Sequence, residues 1–518
     1  MTFVPPETFN LSEHLVFQRL AEGLESRRAI LSDEGTLTYG EVAARMNRFG
    51  NLLRDAGVRA EERVILALPD GPDFAAALFG TLRIGAVVVM VNPELTAAQQ
   101  RYFFEYTRAR AALVSGEVAS VFAEAAQGAL HAPRLMVVGD KEMDAHLAAA
   151  SPELDPFPTH RDDAAIWLFS GGTTGKPKAV VQSHRSFANT TELYGRGFLG
   201  IRPDDVTISV PKLFFGYATG SNLFFPFAAG GACVLFPERC TPQALFDRIE
   251  RHHPTVLVNV PTMVKKMLEH PDAHRGSLAS LRLATSAGEA LPVDLHRAWN
   301  ERFGVPLLDG LGTAEMWHIF ISNHPDDIRL GTLGRAVPGF EVRVCDERGQ
   351  ELPRGEVGHL WVRGDSRAQG YWQQMEKTRA AFRGDWYVSG DMISMDRDGY
   401  VTYRGRADDM LKVSGKWLSP RELEDCLLRH PSVAEVAVVG GWGPDGLVKP
   451  HAFVRTRTPE AAGDELAAEL KMWAREHLEP YKYPRRVVFV DRFPRTHLGK
   501  IDRGQLARSE WDARGTPG

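Results

Sequence analysis

Val42, Met46, Phe49 and Leu53 recur at helical spacing, which predicts an amphipathic helix over residues 41–56. A continuous apolar run at 64–68 reads as a strand buried on both faces, and Pro69 ends it. Residues 73–84 then predict a helix and 86–91 a strand. The alternation returns downstream as helix 246–252, strand 256–260, helix 262–269 and strand 281–286. Strands alternating with helices predict an α/β layer structure around a largely parallel sheet. The most apolar stretch, 74–91, is broken by Arg83 and Gly85, so it reads as a buried helix and strand and not as a membrane span.

The pattern changes after about residue 330. Short strand-like runs at 342–345, 359–362 and 400–404 alternate with Gly, Pro and Asp turns, which predicts a β-rich layer. Beyond residue 407 the order becomes helix 420–429, strands 433–439 and 449–454, helix 465–478 and strand 486–490. The expected fold class is therefore α/β: a large N-terminal domain over 1–407, made of layered α/β subdomains plus the β-rich layer, and a small α+β C-terminal domain over 408–518.

Apolar residues make up 44% of the chain and charged residues 25%, enough core material that no disulfide or metal staple is needed. The net charge of -5 argues against a nucleic-acid binder. Cys233, Cys240, Cys345 and Cys426 show no C-x-x-C spacing, and the N-terminus lacks the basic start and apolar run of a signal peptide. A cytoplasmic protein with reduced thiols and no membrane association is expected.

The most informative segment is Ser170-Gly171-Gly172-Thr173-Thr174-Gly175-Lys176-Pro177-Lys178, set between two apolar runs. Its glycines let backbone N–H groups turn inward, its hydroxyls add donors, and Lys176 and Lys178 add charge, as a polyphosphate requires. Pro177 after the lysine and the return into a strand exclude a Walker-type loop. Here the sequence resembles the adenylate-forming enzymes: acyl- and aryl-CoA ligases, peptide-synthetase adenylation domains and luciferases. Four further segments follow in the family's order. They are Ser286-Ala287-Gly288-Glu289-Ala290; Asp309-Gly310-Leu311-Gly312-Thr313-Ala314-Glu315; Ser389-Gly390-Asp391; and Gly405-Arg406-Ala407-Asp408-Asp409, running on to Lys412 and Gly415. A fifth, Pro494 to Ile501, carries Lys500.

The resemblance implies activation of a carboxylic acid by ATP with Mg²⁺, then acyl transfer to coenzyme A. A carboxylate attacking a phosphate needs positive charge between two anions, and the family places Lys500 there. Glu315 is implied as the Mg²⁺ ligand, Asp391 and Arg406 as ribose and phosphate contacts, and Gly288, Glu289, Ala290, Asp309 and Gly310 as the adenine frame. For Asp391 and Arg406 a structural ion pair is the alternative. Ser170, Gly171, Thr173, Thr174, Gly175, Lys176 and Lys178 would cradle the phosphates. The family usually has Thr directly before the metal-binding Glu; here Ala314 stands there, so Thr313 is the substitute candidate. Rotation of a mobile C-terminal domain about Asp408 would bring Lys412 and Gly415 to the pantetheine arm of CoA.

Pro211 to Tyr217 and Glu315 to Phe320 look most like the benzoate-CoA ligase subgroup. Phe214, Gly216, Tyr217, Gly312, His318 and Ile319 are the candidate acyl-pocket residues, with Phe215 and Phe320 read as core. Gly216, where that subgroup tends to have Ala, leaves room for an ortho substituent. Benzoate and 2-aminobenzoate (anthranilate) are therefore the expected acids. A freestanding aryl-adenylating enzyme that loads a carrier-protein pantetheine is the alternative. A homodimer and a downstream acyl-acceptor protein stay open as partners. Lys482, Arg485 and Arg486 read as a solvated surface cluster.

Overall fold

In the computed structural model the helix expected at 41–56 spans Tyr39–Asp55. It starts two residues early because Thr38 caps it: Thr38 Oγ1 accepts the Glu41 N–H at 3.3 Å, and the Glu41 carboxylate accepts the Thr38 N–H at 2.7 Å. A reciprocal cap of this kind contributes about 0.5–2 kcal/mol. The next helix, Pro72–Arg83, lies directly against it. A Cβ on Gly80 would sit 2.4 Å from the Met46 carbonyl oxygen, so only glycine lets the two backbones approach this closely. The structure describes residues 3–171, 176–274, 276–407, 410–413, 416–443, 447–495 and 501–512.

The chain divides into two compact units, Met1–Val342 with Val362–Val388, and Arg343–Trp361 with Ser389–Gly518. The expected boundary after residue 407 falls inside the second unit, because the β-rich residues 343–361 and 389–407 group with the C-terminal part.

The first unit holds two large sheets. The seven-stranded sheet runs in the order Gly370–Tyr371, Lys178–Ser183, Ala164–Ser170, Val87–Met90, Arg63–Ala67, Ala111–Ser115, Arg134–Val138. Its five strands from Ala164–Ser170 to Arg134–Val138 pair parallel, and the first two are antiparallel additions. Val64, Ile65, Leu66 and Ala67 are all 0% exposed, as a strand covered on both faces requires. In the nine-stranded sheet, the strands Arg28–Ser32, Ala232–Val234, Val206–Ser209, Val256–Asn259, Leu283–Ser286 and Leu307–Gly312 form a parallel core. Ile319–Ser322 and Arg335–Ala336 extend it antiparallel beyond Leu307–Gly312. The helices Pro242–His252, Pro261–Leu268 and Val293–Phe303 close one face through Leu245, Ile249, Met263, Met267 and the fully buried Trp299. Each such side chain adds about 1.5–3 kcal/mol by leaving water.

In the second unit, Trp386–Met395 pairs antiparallel with Val401–Arg406. Further on, Val433–Trp442 pairs antiparallel with Val448–Thr456, and Arg486–Phe489 adds parallel to the latter. Helices Pro420–Leu428 and Asp464–His477 bury Leu423, Leu427, Leu466 and Leu470 against this sheet. That is the α+β arrangement the periodicity predicted. Among the described residues, no helix is long and apolar enough to cross a membrane. The four cysteines are free, and all but the half-buried Cys240 are buried.

Candidate active site

Several predicted site residues stand at the carboxyl ends of parallel strands in the two large sheets of the first unit. In open α/β sheets ligands bind at the carboxyl ends of the strands. Ser170 closes Ala164–Ser170, Ser286 closes Leu283–Ser286, and Asp309, Gly310 and Gly312 occupy the last turns of Leu307–Gly312. The chain then forms a single 3-10 turn, Ala314–Met316. Thr313 caps this turn by accepting the Met316 N–H at 3.3 Å, which leaves its own O–H as a donor.

Glu315 sits in that turn and is 5% exposed. Three side chains converge on its Oε1: the Tyr371 hydroxyl at 2.8 Å, the Ser170 hydroxyl at 3.3 Å and the Lys178 ammonium at 3.5 Å. Lys178 also lies 3.7 Å from the centroid of the Tyr371 ring. The Gln182 amide donates to the Ala314 carbonyl at 2.6 Å and holds the turn against the strand Lys178–Ser183. A buried carboxylate is thus held ready beside an ammonium group. Among the described residues no group of three or more His, Cys, Asp or Glu could hold a metal. One carboxylate suits Mg²⁺, which keeps waters and takes its remaining ligands from substrate phosphates.

Lys176 lies 5.5 Å from the Tyr102 ring, and the Tyr102 hydroxyl donates to the Pro177 carbonyl at 2.6 Å, which anchors the exit of the glycine-rich loop. Gly171 has open space where a Cβ would be. Thr173, Thr174 and Gly175 lie outside the described residues, as do Asp408, Gly415 and Lys500, and Lys412 is described in its backbone only. Gly288 adopts φ +84°, a conformation that favours glycine. Glu289 is exposed and accepts from Thr262 Oγ1 at 2.7 Å. Ala290 lies just beyond it and is half-buried. Asp309 is 6% exposed and pairs in register with Ser286.

The candidate acyl wall is built next to this cluster. A Cβ on Gly312 would lie 2.1 Å from the His318 carbonyl oxygen, so no other residue fits there. Trp317 and His318 both hold positive φ, +22° and +79°. Side chains with such backbone are costly and concentrate at functional sites. His318 Nε2 lies 2.9 Å from the Tyr217 carbonyl, which can only accept, so Nε2 carries the proton. Burial pushes this imidazole down to about 3, hence it is neutral, and Nδ1 is left as a buried acceptor with no partner among the described residues. The Tyr217 hydroxyl meets Thr285 Oγ1 at 2.7 Å. Ile319, 3% exposed, opens the strand that pairs with Gly312. A Cβ on Gly216 would meet Leu168 Cδ1 at 3.2 Å and Trp317 Nε1 at 3.6 Å. Phe214 is half-buried with its ring 4.3 Å from that of Phe215. Phe320 is core, as expected, but Phe215 is not: it is 49% exposed, because the turn before the helix Gly216–Thr219 points it outward.

In the second unit, the antiparallel register puts Asp391 opposite Arg406, with Arg406 NH1 3.2 Å from Asp391 Oδ1. Ser389 Oγ donates to Asp391 Oδ2, and the Tyr403 hydroxyl donates to Oδ1 at 3.3 Å. Asp391 and Arg406 thus form an ion pair in this structure, and Asp391 keeps acceptor capacity beyond it. Lys482 is not solvated: it is held by Glu422 at 2.7 Å and Glu479 at 3.1 Å, and its side chain is 13% exposed. Tyr371, Thr285 and Tyr403 were not found from the sequence. Tyr371 lies 56 residues from Glu315 with no spacing signal linking them.

A two-unit α/β enzyme with a buried carboxylate and lysine at the strand ends, beside a glycine-rich loop, is the class these features define. The chain belongs to the AMP-binding enzyme family: residues 17–372 match that family and residues 422–500 match its C-terminal domain. It is 42% identical over 506 residues to the benzoate–CoA ligase of Thauera aromatica, covering 97% of this chain and 96% of that protein. It is also similar to a solved anthranilate CoA ligase, AuaEII, in complex with anthranoyl-AMP. That match has TM-score 0.90 and 35% identity, and covers 98% of each chain. A benzoate CoA ligase from Burkholderia xenovorans LB400 matches with TM-score 0.86 and 41% identity, over 96% of this chain and 99% of that one.

Proposed function

We propose that this protein is an AMP-forming acid–thiol ligase that converts benzoate-type acids to their CoA thioesters. In the first step a carboxylate oxygen attacks the α-phosphorus of ATP. The bond to pyrophosphate breaks and an aryl adenylate forms. In the second step the CoA sulfur attacks the acyl carbonyl, its proton is lost to solvent, and AMP leaves. A thiol with a pKa of about 8.5 already supplies thiolate near neutral pH, so no strong base is required. The observation that carries the reading is the convergence of Ser170, Lys178 and Tyr371 on the buried Glu315 at the strand ends.

In this reading Lys176, Lys178 and the loop residues 170–175 bind the phosphates, Glu315 holds Mg²⁺, and Gly288, Glu289, Ala290, Asp309 and Gly310 frame adenine. Bound Mg²⁺ would offset polyphosphate charge and so ease pyrophosphate departure. Asp391 and Arg406 serve the ribose, Lys500 bridges the carboxylate and α-phosphate, and the C-terminal domain turns about Asp408 between the two steps. Phe214, Gly216, Tyr217, Gly312, His318 and Ile319 line the acid.

For the acid itself, 2-aminobenzoate alongside benzoate is the reading favoured by Gly216 and His318. At residue 216 a methyl would crowd Leu168 at 3.2 Å and 3.4 Å, so glycine opens less room than a full methyl, and a neutral His318 has an acceptor nitrogen to spare. The similarity to the AuaEII anthranilate ligase supports the same acid. Relatives named as CoA ligases leave the carrier-loading alternative without support. The deciding experiment is acid-dependent pyrophosphate release across benzoates, fatty acids and amino acids, with and without free CoA. Benzoate-driven release that ends in consumption of free CoA is expected. Absence of any AMP-linked aryl intermediate would overturn the assignment, and strong rejection of 2-aminobenzoate would overturn the finer one.

A further inference from the structure

Residues 210–215, which carry Phe214, belong to no helix or strand; the Val210 N–H donates to the Val258 carbonyl and the Phe215 N–H to the Lys212 carbonyl, both at 2.9 Å, and side chains supply further ties. Ser209 Oγ donates to the Pro211 carbonyl at 2.8 Å, and Thr219 Oγ1 donates to the Leu213 carbonyl at 2.6 Å. Lys212 Nζ donates to the Phe236 carbonyl at 2.7 Å and lies 3.8 Å from the centre of that ring. The fourth tie comes from far away in the chain. Asp70 Oδ1 accepts the Leu213 N–H at 2.8 Å across 143 residues.

Asp70 is 6% exposed and lies between the strand Arg63–Ala67 and the helix Pro72–Arg83. It therefore couples the rigid seven-stranded sheet to the aromatic segment. Leu213 is 0% exposed, and Phe214 follows it directly. Four residues on, the Tyr217 carbonyl receives His318 Nε2, so a shift at Leu213 reaches both walls of the candidate acyl pocket. No step of the proposed reaction uses this carboxyl group.

We infer that Asp70 is a positioning residue for the acyl pocket, whose carboxylate holds the Leu213 N–H so that Phe214 and Gly216 keep the shape that binds the aryl acid. The inference rests on the aryl-CoA ligase reading and adds to it. The titratable groups facing Asp70 are Lys212, Cys233 on the strand Ala232–Val234, and Cys240 beyond that strand. Lys212 in turn faces Glu238 and Arg248. Burial pushes both thiols up, Cys240 to about 12, so neither carries charge near neutrality. Burial also raises the Asp70 carboxyl to about 7, against the pull of Lys212 and the Leu213 N–H. The carboxylate, the stronger acceptor, thus prevails above that pH, and below it the neutral acid grips the segment less firmly.

The test is the KM for benzoate between about pH 6 and about pH 8.5, at saturating Mg·ATP and CoA, in wild type, Asp70→Asn and Asp70→Ala. Wild type should show KM rising several-fold as pH falls through neutrality, with KM for ATP following its own separate profile. Asp70→Asn, which mimics the neutral acid, should hold the wild-type low-pH KM at every pH, with kcat changed less than about twofold. Asp70→Ala leaves the Leu213 N–H unpaired and should raise KM by about tenfold. Should the alanine variant fail to fold, the isosteric asparagine variant carries the test. An Asp70→Asn enzyme with the wild-type KM and pH profile overturns the positioning role alone, as does a loss falling equally on kcat and KM for ATP. A wild-type enzyme that releases no pyrophosphate with any aryl acid overturns the ligase reading and this inference together.

Discussion

Replacing Tyr371 by Phe isolates a single hydroxyl at the centre of the candidate site. The phenyl ring is retained, and with it the surface on which the Lys178 ammonium rests at 3.7 Å. What is lost is the 2.8 Å hydrogen bond to Glu315 Oε1. Ser170 at 3.3 Å and Lys178 at 3.5 Å remain, both longer, so the carboxylate loses the shortest of these three contacts. A hydrogen bond to a charged group contributes about 1.5–3 kcal/mol, equivalent to about ten- to hundredfold in an equilibrium or rate. If Glu315 must be held in place to receive Mg²⁺, that loss should appear in adenylation. We expect kcat/KM for Mg·ATP in benzoate-dependent pyrophosphate release to fall by about ten- to hundredfold, with the half-saturating Mg²⁺ concentration rising. Transfer from a supplied benzoyl adenylate to CoA should stay within about threefold of wild type, because that step no longer involves the β- and γ-phosphates. An unchanged Mg²⁺ requirement, or equal damage to both half-reactions, would refute the reasoning.

Gly216→Ala adds one methyl at 3.2 Å from Leu168 Cδ1; kcat/KM for 2-aminobenzoate relative to benzoate should drop by about 5- to 150-fold, as one methylene-sized change is worth about 1–3 kcal/mol. Gly312→Ala places a carbon 2.1 Å from the His318 carbonyl oxygen, and thermal unfolding should report a loss of about 1–3 kcal/mol or more from overpacking. His184 and His318 are both pushed down to about 3 by burial. Their folded values lie below the unfolded one, so the stability they allow is present above about pH 6.5 and is lost as pH falls toward 3. Urea denaturation should therefore show about 1 kcal/mol lost per group between about pH 6.5 and about pH 5.5, and a His318→Gln variant with an undiminished pH slope would contradict this.

Several elements could be read directly from the chain because burial leaves a local record. The run at 64–68 is continuous because parallel strands are covered on both faces, and it became Arg63–Ala67. The helical repeat of Val42, Met46, Phe49 and Leu53 became Tyr39–Asp55 with all four side chains buried. The α+β order after residue 420 also held element by element. The glycine-rich loop and the segment ending in Glu315 announced themselves by composition, since phosphate binding and tight turns demand particular residue types.

Tertiary structure alone decided who meets whom. Nothing near Glu315 in the sequence points to Tyr371, and nothing near Leu213 points to Asp70. Those pairs exist because Gly370–Tyr371 joins the edge of the seven-stranded sheet, and because the loop after Arg63–Ala67 reaches the aromatic segment. Phe215 is exposed and Lys482 is half-buried between two carboxylates for the same reason. A side chain's periodicity reports which face of its own element is covered. The order of strands in a sheet depends on pairings across tens to hundreds of residues, and no local pattern encodes it.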